Sequence, residues 1–266
     1  MRLSSLSVVV PAYNEATRLE ATLRAILGAG EPWDFEIVVV DDGSTDGTAD
    51  IAEAILKDSG RGRVIRLARN EGKGAAIRTG VVATTGQAVV YMDADLATDL
   101  SALGPALNAL GAADVVVGSR VVDGASVQNS TRSRAVMARA FNGLVHMSTD
   151  LELKDTQCGF KAFRGPVGRK LFGLSRSCGF AFDVEVLLLA RRLGYTIVEV
   201  PVRWTAVEGS SVRPISDSLQ MAFDLTRIAA RWTPRRVQRA ARNGDVGDSN
   251  GHETSALQDV SGTALT

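Results

Sequence analysis

The stretch EIVVVDDGSTDGTADIAEAIL, Glu36–Leu56, decides the fold. Its opening run Glu36–Val40 is short, β-branched and apolar, and it stops abruptly at Asp41-Asp42-Gly43-Ser44. That is the pattern of a parallel strand buried on both faces. Thr48–Leu56 reads as the helix that follows. Upstream, Leu6–Val10 (LSVVV) is a second such run, and Ala16–Leu27 carries Leu19, Leu23, Ile26 and Leu27 at helical spacing. Downstream, Arg63–Leu67 (RVIRL), Gln87–Met92 (QAVVYM) and Asp114–Gly118 (DVVVG) read as strands, with a helix over Ala75–Val82. Strands alternating with helices at this spacing predict an α/β fold with a doubly wound, mostly parallel sheet. Ligands bind such sheets outside the carboxyl ends of the strands.

Beyond Ser119 the rhythm weakens. Helices are expected over Arg132–Met147, Gly179–Leu193 and Ile215–Trp232, the last with Leu219, Phe223, Ile228 and Trp232 along one side. Tyr195–Arg203 (YTIVEVPVR) reads as one strand. The stretch Asn243–Thr266, rich in Gly, Ser, Asn, Asp and Thr without periodicity, is expected to be a disordered tail. Residues 1–232 are therefore read as one domain, and 233–266 as a basic segment with an acidic tail.

Thirty Lys and Arg balance thirty Asp and Glu, so whole-molecule charge predicts no nucleic-acid partner. The balance is uneven, however: Arg227, Arg231, Arg235, Arg236, Arg239 and Arg242 cluster without an acid among them. Such a partly amphipathic basic stretch is suited to an anionic membrane surface, or alternatively to a helix packed on the domain. Two cysteines, Cys158 and Cys178, are too few for a disulfide framework, and the expected compartment is the reduced cytoplasm. Met1–Ser7 lacks the pattern of a secretory leader, and no apolar run approaches the roughly 18–20 residues of a membrane span. Any membrane association is expected to be peripheral, on the inner face.

Asp93-Ala94-Asp95 directly follows the strand QAVVYM. Two carboxylates at a strand end can present oxygens to a hard cation, Mg²⁺ or Mn²⁺, that bridges a ligand's phosphates. The plain alternative is a turn or cap. Asp41-Asp42 stands at the next carboxyl end; Ser44 or Asp46 is suited to cap the helix, which leaves Asp41 or Asp42 for a base or ribose. Pro11-Ala12-Tyr13-Asn14-Glu15 leaves the same edge. Asn70–Gly74 matches neither G-x-x-x-x-G-K-[ST] nor G-x-G-x-x-G, which argues against a kinase-like NTPase or a dinucleotide enzyme. Its glycines and Lys73 remain suited to an anion at a helix start.

The series VVVPAYNE, EIVVVDDGSTDGT, RNEGKGAAIRTG, YMDADL and VVGSR resembles the family 2 glycosyltransferases with the GT-A nucleotide-sugar fold. The later segments KDTQCGFKAF, GFAFDVEVL, VEVPVRWTAVEGSSV and SDSLQMAFDL are similar to their dolichyl-phosphate and polyprenyl-phosphate glucosyltransferase branch. The likeness runs from about Leu6 to Arg227. It departs at the start, where the anchor of the eukaryotic enzymes is not seen, and in the basic segment and tail.

The resemblance implies a metal-dependent, inverting transfer of a hexose from a nucleoside-diphosphate sugar, UDP-glucose first, to a polyprenyl phosphate. Pro11, Ala12, Tyr13 and Glu15 would line the uridine or ribose, and Asp42 would pair with the base. Asp93 and Asp95 would serve the diphosphate and metal, Asp95 more directly. Arg120 and Arg134 would hold the acceptor phosphate, with Asp155, Gln157 and Lys161 beside the sugar or acceptor. Other readings are N-acetylhexosamine or mannose as the sugar, a soluble phosphorylated acceptor, or a silent nucleotide-sugar-binding protein. An integral membrane partner is a further possibility. Asp183 and Glu185 fit either the acceptor side or a helix first turn. Cys158 is read as a packed thiol, His146 as structural, and His252 as part of the tail.

Overall fold

The computed structural model describes residues 4–207 and 214–243, the side chains of 132–135, 214–222 and 241–243 excepted. The side chains of Arg134, Leu219 and Arg242, His252, and the expected tail beyond Asn243 lie outside the described residues.

Strands β1 (Ser5–Ala12), β2 (Asp34–Asp41), β3 (Gly62–Arg66), β4 (Ala88–Met92), β5 (Val115–Ser119), β7 (Phe160–Arg164) and β8 (Ile197–Pro201) form one sheet. Its order is β3-β2-β1-β4-β7-β5-β8. All pairs are parallel except those of β7, which runs antiparallel to both β4 and β5. Side chains alternate between two buried layers: Val9, Val38, Val40, Val89 and Tyr91 face one, and Val8, Val10, Ile37, Val39 and Val90 the other. Both faces being covered explains why these strands read as unbroken apolar runs. Helices α1 (Leu19–Gly30), α2 (Thr48–Ser59) and α3 (Lys73–Ala83) make the expected crossovers, and α4 (Leu103–Ala109), not anticipated from the sequence, lies between β4 and β5.

The second half departs from the sequence reading in three places. Strand β7 and the helix α6 (Gly165–Leu174) behind it were not anticipated. The single strand expected over Tyr195–Arg203 is two: the β5–β8 ladder ends at Ser119↔Pro201, closed by Val202 N–H donating to Ser119 C=O (3.1 Å). The chain then forms β9 (Arg203–Thr205), which pairs in parallel with β6 (Ser126–Gln128) in a separate ribbon. Finally, the apolar residues of α8 (Pro214–Arg231) do not share one side. Leu225, Ile228 and, just beyond, Trp232 are buried, whereas Phe223 is 57% exposed. Helix α5 (Arg132–Ser148) packs on α8. Helix α7 (Phe182–Arg192) is buried along most of its length. Helix α9 (Pro234–Asn243) follows α8 and buries Val237 in the same core layer, so packing continues past the 232/233 boundary.

Candidate active site

The three acidic loops converge on one edge and are stitched together by their own side chains. Asn14, in the left-handed region at φ 54°, donates its N–H to Ser44 Oγ (2.9 Å) and accepts from Thr45 N–H (3.0 Å). Glu15 N–H donates to Thr48 Oγ1 (2.8 Å). Asp46 accepts from Thr48 N–H at the start of α2 (3.1 Å). Pro11 and Ala12 are buried at the end of β1, while Tyr13 stands 45% exposed at the rim. Glu15 pairs with Arg18 at 2.8 Å, and burial raises its carboxyl against that pull.

The two neighbouring aspartates divide their work. Both oxygens of Asp42 accept backbone N–H groups, from Glu71 (2.8 Å) and Gly72 (3.0 Å), which fixes the glycine loop to β2. Burial still holds the Asp42 carboxyl above its usual range. Asp41 Oδ2 accepts Ser44 N–H (3.2 Å), and its Oδ1 is buried without a partner among the described residues. An unmet buried acceptor costs about 1–3 kcal/mol unless a ligand donor reaches it. Asp42, expected to pair with the base, is thus engaged by the glycine loop, while Asp41 keeps a buried acceptor open toward the same edge.

At the end of β4, Asp93 Oδ1 lies 2.6 Å from Lys73 Nζ. Lys73 opens α3. Burial acts to lower the Lys73 ammonium, and the Asp93 carboxylate outweighs it, so its pKa is raised. The other face of Asp93 rests on Gly159, where a Cβ would stand 2.0 Å from Oδ2 and would displace the carboxylate. Ala94 is buried, and its carbonyl accepts the Thr22 hydroxyl (2.6 Å), tying the turn to α1. Asp95 accepts Ala97 N–H (2.9 Å); burial pushes its carboxyl up, and the Asp93 charge adds to the effect. Among the described residues no third Asp, Glu, His or Cys completes a metal-binding group. Two hard carboxylates that leave the remaining positions to phosphate oxygens and water suit Mg²⁺ or Mn²⁺.

Arg120 follows β5 and meets Asp155 as a fork, Nε at 2.7 Å and one terminal nitrogen at 2.9 Å, with its backbone N–H on the same carboxylate (3.0 Å). Its guanidinium lies over the Trp204 ring, 5.4 Å from the centroid. Asp155 N–H in turn donates to Glu199 (3.0 Å). Strand β9 reaches back to the loop after Asp95: Thr205 N–H donates to Ala97 C=O (2.8 Å), and Asp99 N–H to Arg203 C=O (2.9 Å). Trp204, Gly159 and Glu199 were given no role from the sequence, since nothing local marks a residue as another's platform.

Lys161, expected beside the sugar or acceptor, faces the interior. It is fully buried on β7, and its Nζ is held by Asp183 Oδ1 (2.6 Å) and Cys158 C=O (2.8 Å) behind Tyr91. Asp183 also accepts the Tyr91 hydroxyl. Gln157 is partly exposed, its N–H 3.3 Å from Asp155 Oδ1. Asp183 and Glu185 occupy the first turn of α7 and face inward. Cys158 is a buried thiol, and His146 is occupied by Leu153 C=O at 2.8 Å.

The mostly parallel sheet thus carries at one edge a strand-end aspartate pair opposed by a lysine at a glycine loop, an arrangement suited to a diphosphate with its metal. Consistent with this fold, the glucosyl-3-phosphoglycerate synthase of Mycobacterium tuberculosis, solved with Mn²⁺, uridine diphosphate and phosphoglyceric acid, superimposes with a TM-score of 0.62 at 22% identity. That match covers 85% of this chain and 77% of the other. The chain belongs to glycosyl transferase family 2, whose model matches residues 7–172. It is 37% identical to a dolichyl-phosphate beta-glucosyltransferase of Dictyostelium discoideum, over 85% of this chain and 74% of that protein. The protein of the same name from Homo sapiens is 36% identical over 85% of this chain and 75% of its own length.

Proposed function

We propose that this glycosyltransferase moves glucose from UDP-glucose to a polyprenyl phosphate, with inversion at the anomeric carbon. The observation that carries the reading is the identity of 36–37% to dolichyl-phosphate beta-glucosyltransferases of two distant organisms across 85% of the chain. The Asp93–Lys73 and Arg120–Asp155 sets on one sheet edge support it.

Asp93 and Asp95 would hold Mg²⁺ or Mn²⁺, which when bound neutralises charge on the departing diphosphate. Asp41 Oδ1 accepts from the uracil N–H, and Pro11, Ala12, Tyr13 and Glu15 border the nucleoside. Lys73 exchanges Asp93 for the diphosphate. Arg120, held in place by Asp155 and Trp204, orients the acceptor phosphate together with Arg134. A phosphate oxygen of the acceptor forms the new bond to the sugar's anomeric carbon as the bond to the diphosphate breaks. A phosphate monoester is already anionic at neutral pH and needs no general base. This agrees with His146, the one histidine among the described residues, being tied to Leu153.

The lipid acceptor implies a peripheral seat on the inner face of the membrane. Among the described residues no helix is long and apolar enough to cross one. Exposed Phe223, Arg227, Arg235, Arg236 and Arg239 on α8 and α9 suit anionic headgroups, each cation contributing about 1 kcal/mol. Replacing Arg235, Arg236 and Arg239 with alanine should weaken sedimentation with phosphatidylglycerol vesicles; unchanged sedimentation sinks that contact.

The deciding experiment is a donor panel of UDP-glucose, UDP-galactose, UDP-N-acetylhexosamines and GDP-mannose, with Mn²⁺ or Mg²⁺ and a short polyprenyl phosphate. Organic-extractable glucose, abolished by EDTA, is expected from UDP-glucose alone. Transfer to phosphoglyceric acid but not to lipid would instead favour a soluble phosphorylated acceptor, as in the solved structural neighbour. Silence with every donor overturns the reading.

A further inference from the structure

Glu185 carries a network that none of the site residues above accounts for. It has no exposed surface and lies beyond the family-matched residues. Its Oε2 accepts the backbone N–H groups of Arg176 (2.9 Å) and Ser177 (2.6 Å). Its Oε1 accepts the indole N–H of Trp232 (2.5 Å) and lies 3.5 Å from the Arg231 guanidinium. A buried carboxylate persists only where donors meet its lone pairs. Here the donors come from two separate places, the loop between α6 and α7 and the end of α8.

That loop reaches the donor edge. The Cys178 carbonyl accepts Gly74 N–H at 2.7 Å. The approach is so close that a Cβ at Gly72, where φ is +98°, would stand 2.6 Å from the same carbonyl oxygen. Lys73 lies between the two glycines and carries the ion pair to Asp93. A continuous chain of contacts therefore runs from Trp232 through Glu185 and the Arg176–Cys178 backbone to Gly74, Lys73 and Asp93.

We infer that Glu185 is a positioning residue for the donor phosphates. It clamps the Arg176–Cys178 backbone onto the glycine loop and so sets where Lys73 is presented, and Trp232 makes the end of α8 part of the donor site. This rests on the reading of Lys73 and Asp93 as the diphosphate end of the site. The role differs from simple core packing: Leu225 and Ile228 supply apolar burial for α8, whereas the Glu185 hydrogen bonds tie the end of α8 to the loop backbone.

The test uses the full chain and two variants. Trp232→Phe keeps a ring in the core and removes only the N–H, whereas Glu185→Gln keeps the shape and turns one acceptor into a donor. Cys178 is the exposed thiol and Cys158 is buried, so labelling by a chromogenic aromatic disulfide, without nucleotide, reads the loop. In Trp232→Phe the Cys178 labelling rate and the Kd for uridine diphosphate with Mn²⁺ should each rise about fivefold, the scale of one lost hydrogen bond. KM for the donor should rise in step while kcat changes less than twofold, and Glu185→Gln should exceed both effects. Faster labelling with unchanged nucleotide affinity makes Glu185 a loop anchor only and overturns the inference, as does a variant altered in melting temperature alone. If Glu185→Gln fails to fold, Trp232→Phe decides. A wild type that binds no uridine nucleotide sinks the proposed donor instead, and the labelling rates still test the link from Trp232 to the loop.

Discussion

Two lysine–aspartate pairs of equal length, both 2.6 Å, stand at different depths behind the same sheet edge. Lys73 and Asp93 keep 26% and 30% of their side-chain surface exposed, whereas Lys161 and Asp183 keep 1% and 7%. The difference teaches what burial does to one chemistry. A sealed pair must have its desolvation offset by fixed partners, here the Cys158 carbonyl and the Tyr91 hydroxyl, and it cannot let go of them. A half-open pair gains little from its own attraction and can trade a partner for a ligand at small cost. The first is scaffold, and the second is available for chemistry.

The sharpest break of this comparison is Lys161→Met, which leaves Asp183 buried without its cation. Urea titration should find unfolding free energy lowered by about 3–5 kcal/mol, largely recovered in Lys161→Met/Asp183→Asn. A loss under about 1 kcal/mol would mean that the two pairs do not differ in kind. Next comes Lys73→Met, expected to cost under about 1 kcal/mol of stability. Its kcat/KM for transfer should nevertheless fall about a hundredfold, near 2.7 kcal/mol of transition-state stabilisation. Full activity in that variant would remove Lys73 from the site.

Arg120–Asp155, with side chains 23% and 6% exposed, lies between the extremes and is distinguished by pH. Burial alone would raise the Asp155 carboxyl, but the Arg120 hydrogen bonds and charge prevail and hold it below the ordinary 3.8. A carboxyl lowered in the folded state takes up its proton later than in the unfolded chain. Its contribution is therefore complete above the ordinary value and is lost as pH falls through the folded one. The stability gap between wild type and Asp155→Asn, about 2 kcal/mol for hydrogen bonds to a charged group, should hold from neutral pH to about pH 5 and narrow below. A gap that widens in acid would contradict the assignment. The smallest effect belongs to the open pair Arg24–Glu20, 64% and 58% exposed, where Arg24→Ala should cost no more than about 0.5 kcal/mol.

Strands β1, β2, β4 and β5 were legible because covering a parallel strand on both faces demands an apolar run that ends sharply at its polar edge. That edge made Asp93, Asp95 and Lys73 legible with it. Strand β7 was not, because Phe160–Arg164 carries Lys161 as its second residue and a lysine ordinarily signals solvent. Its partner Asp183 lies 22 positions away on α7, and no local pattern announces that meeting. The link from Glu185 to Trp232 spans 47 positions and was equally silent. The apolar spacing of α8 was visible, but which side faced the core was not; Phe223 turned outward and Leu225 inward.

By itself the sequence determined the α/β order, the sheet edge at which the acidic loops gather, and the residue types gathered there, because periodicity and strand ends are set by local burial. Only the tertiary structure decided which of two adjacent aspartates is left with an open oxygen among the described residues, which lysine is sealed and which is open, and which distant indole meets Glu185. Those outcomes depend on desolvation and on partners brought from far along the chain, and neither is written in any one segment.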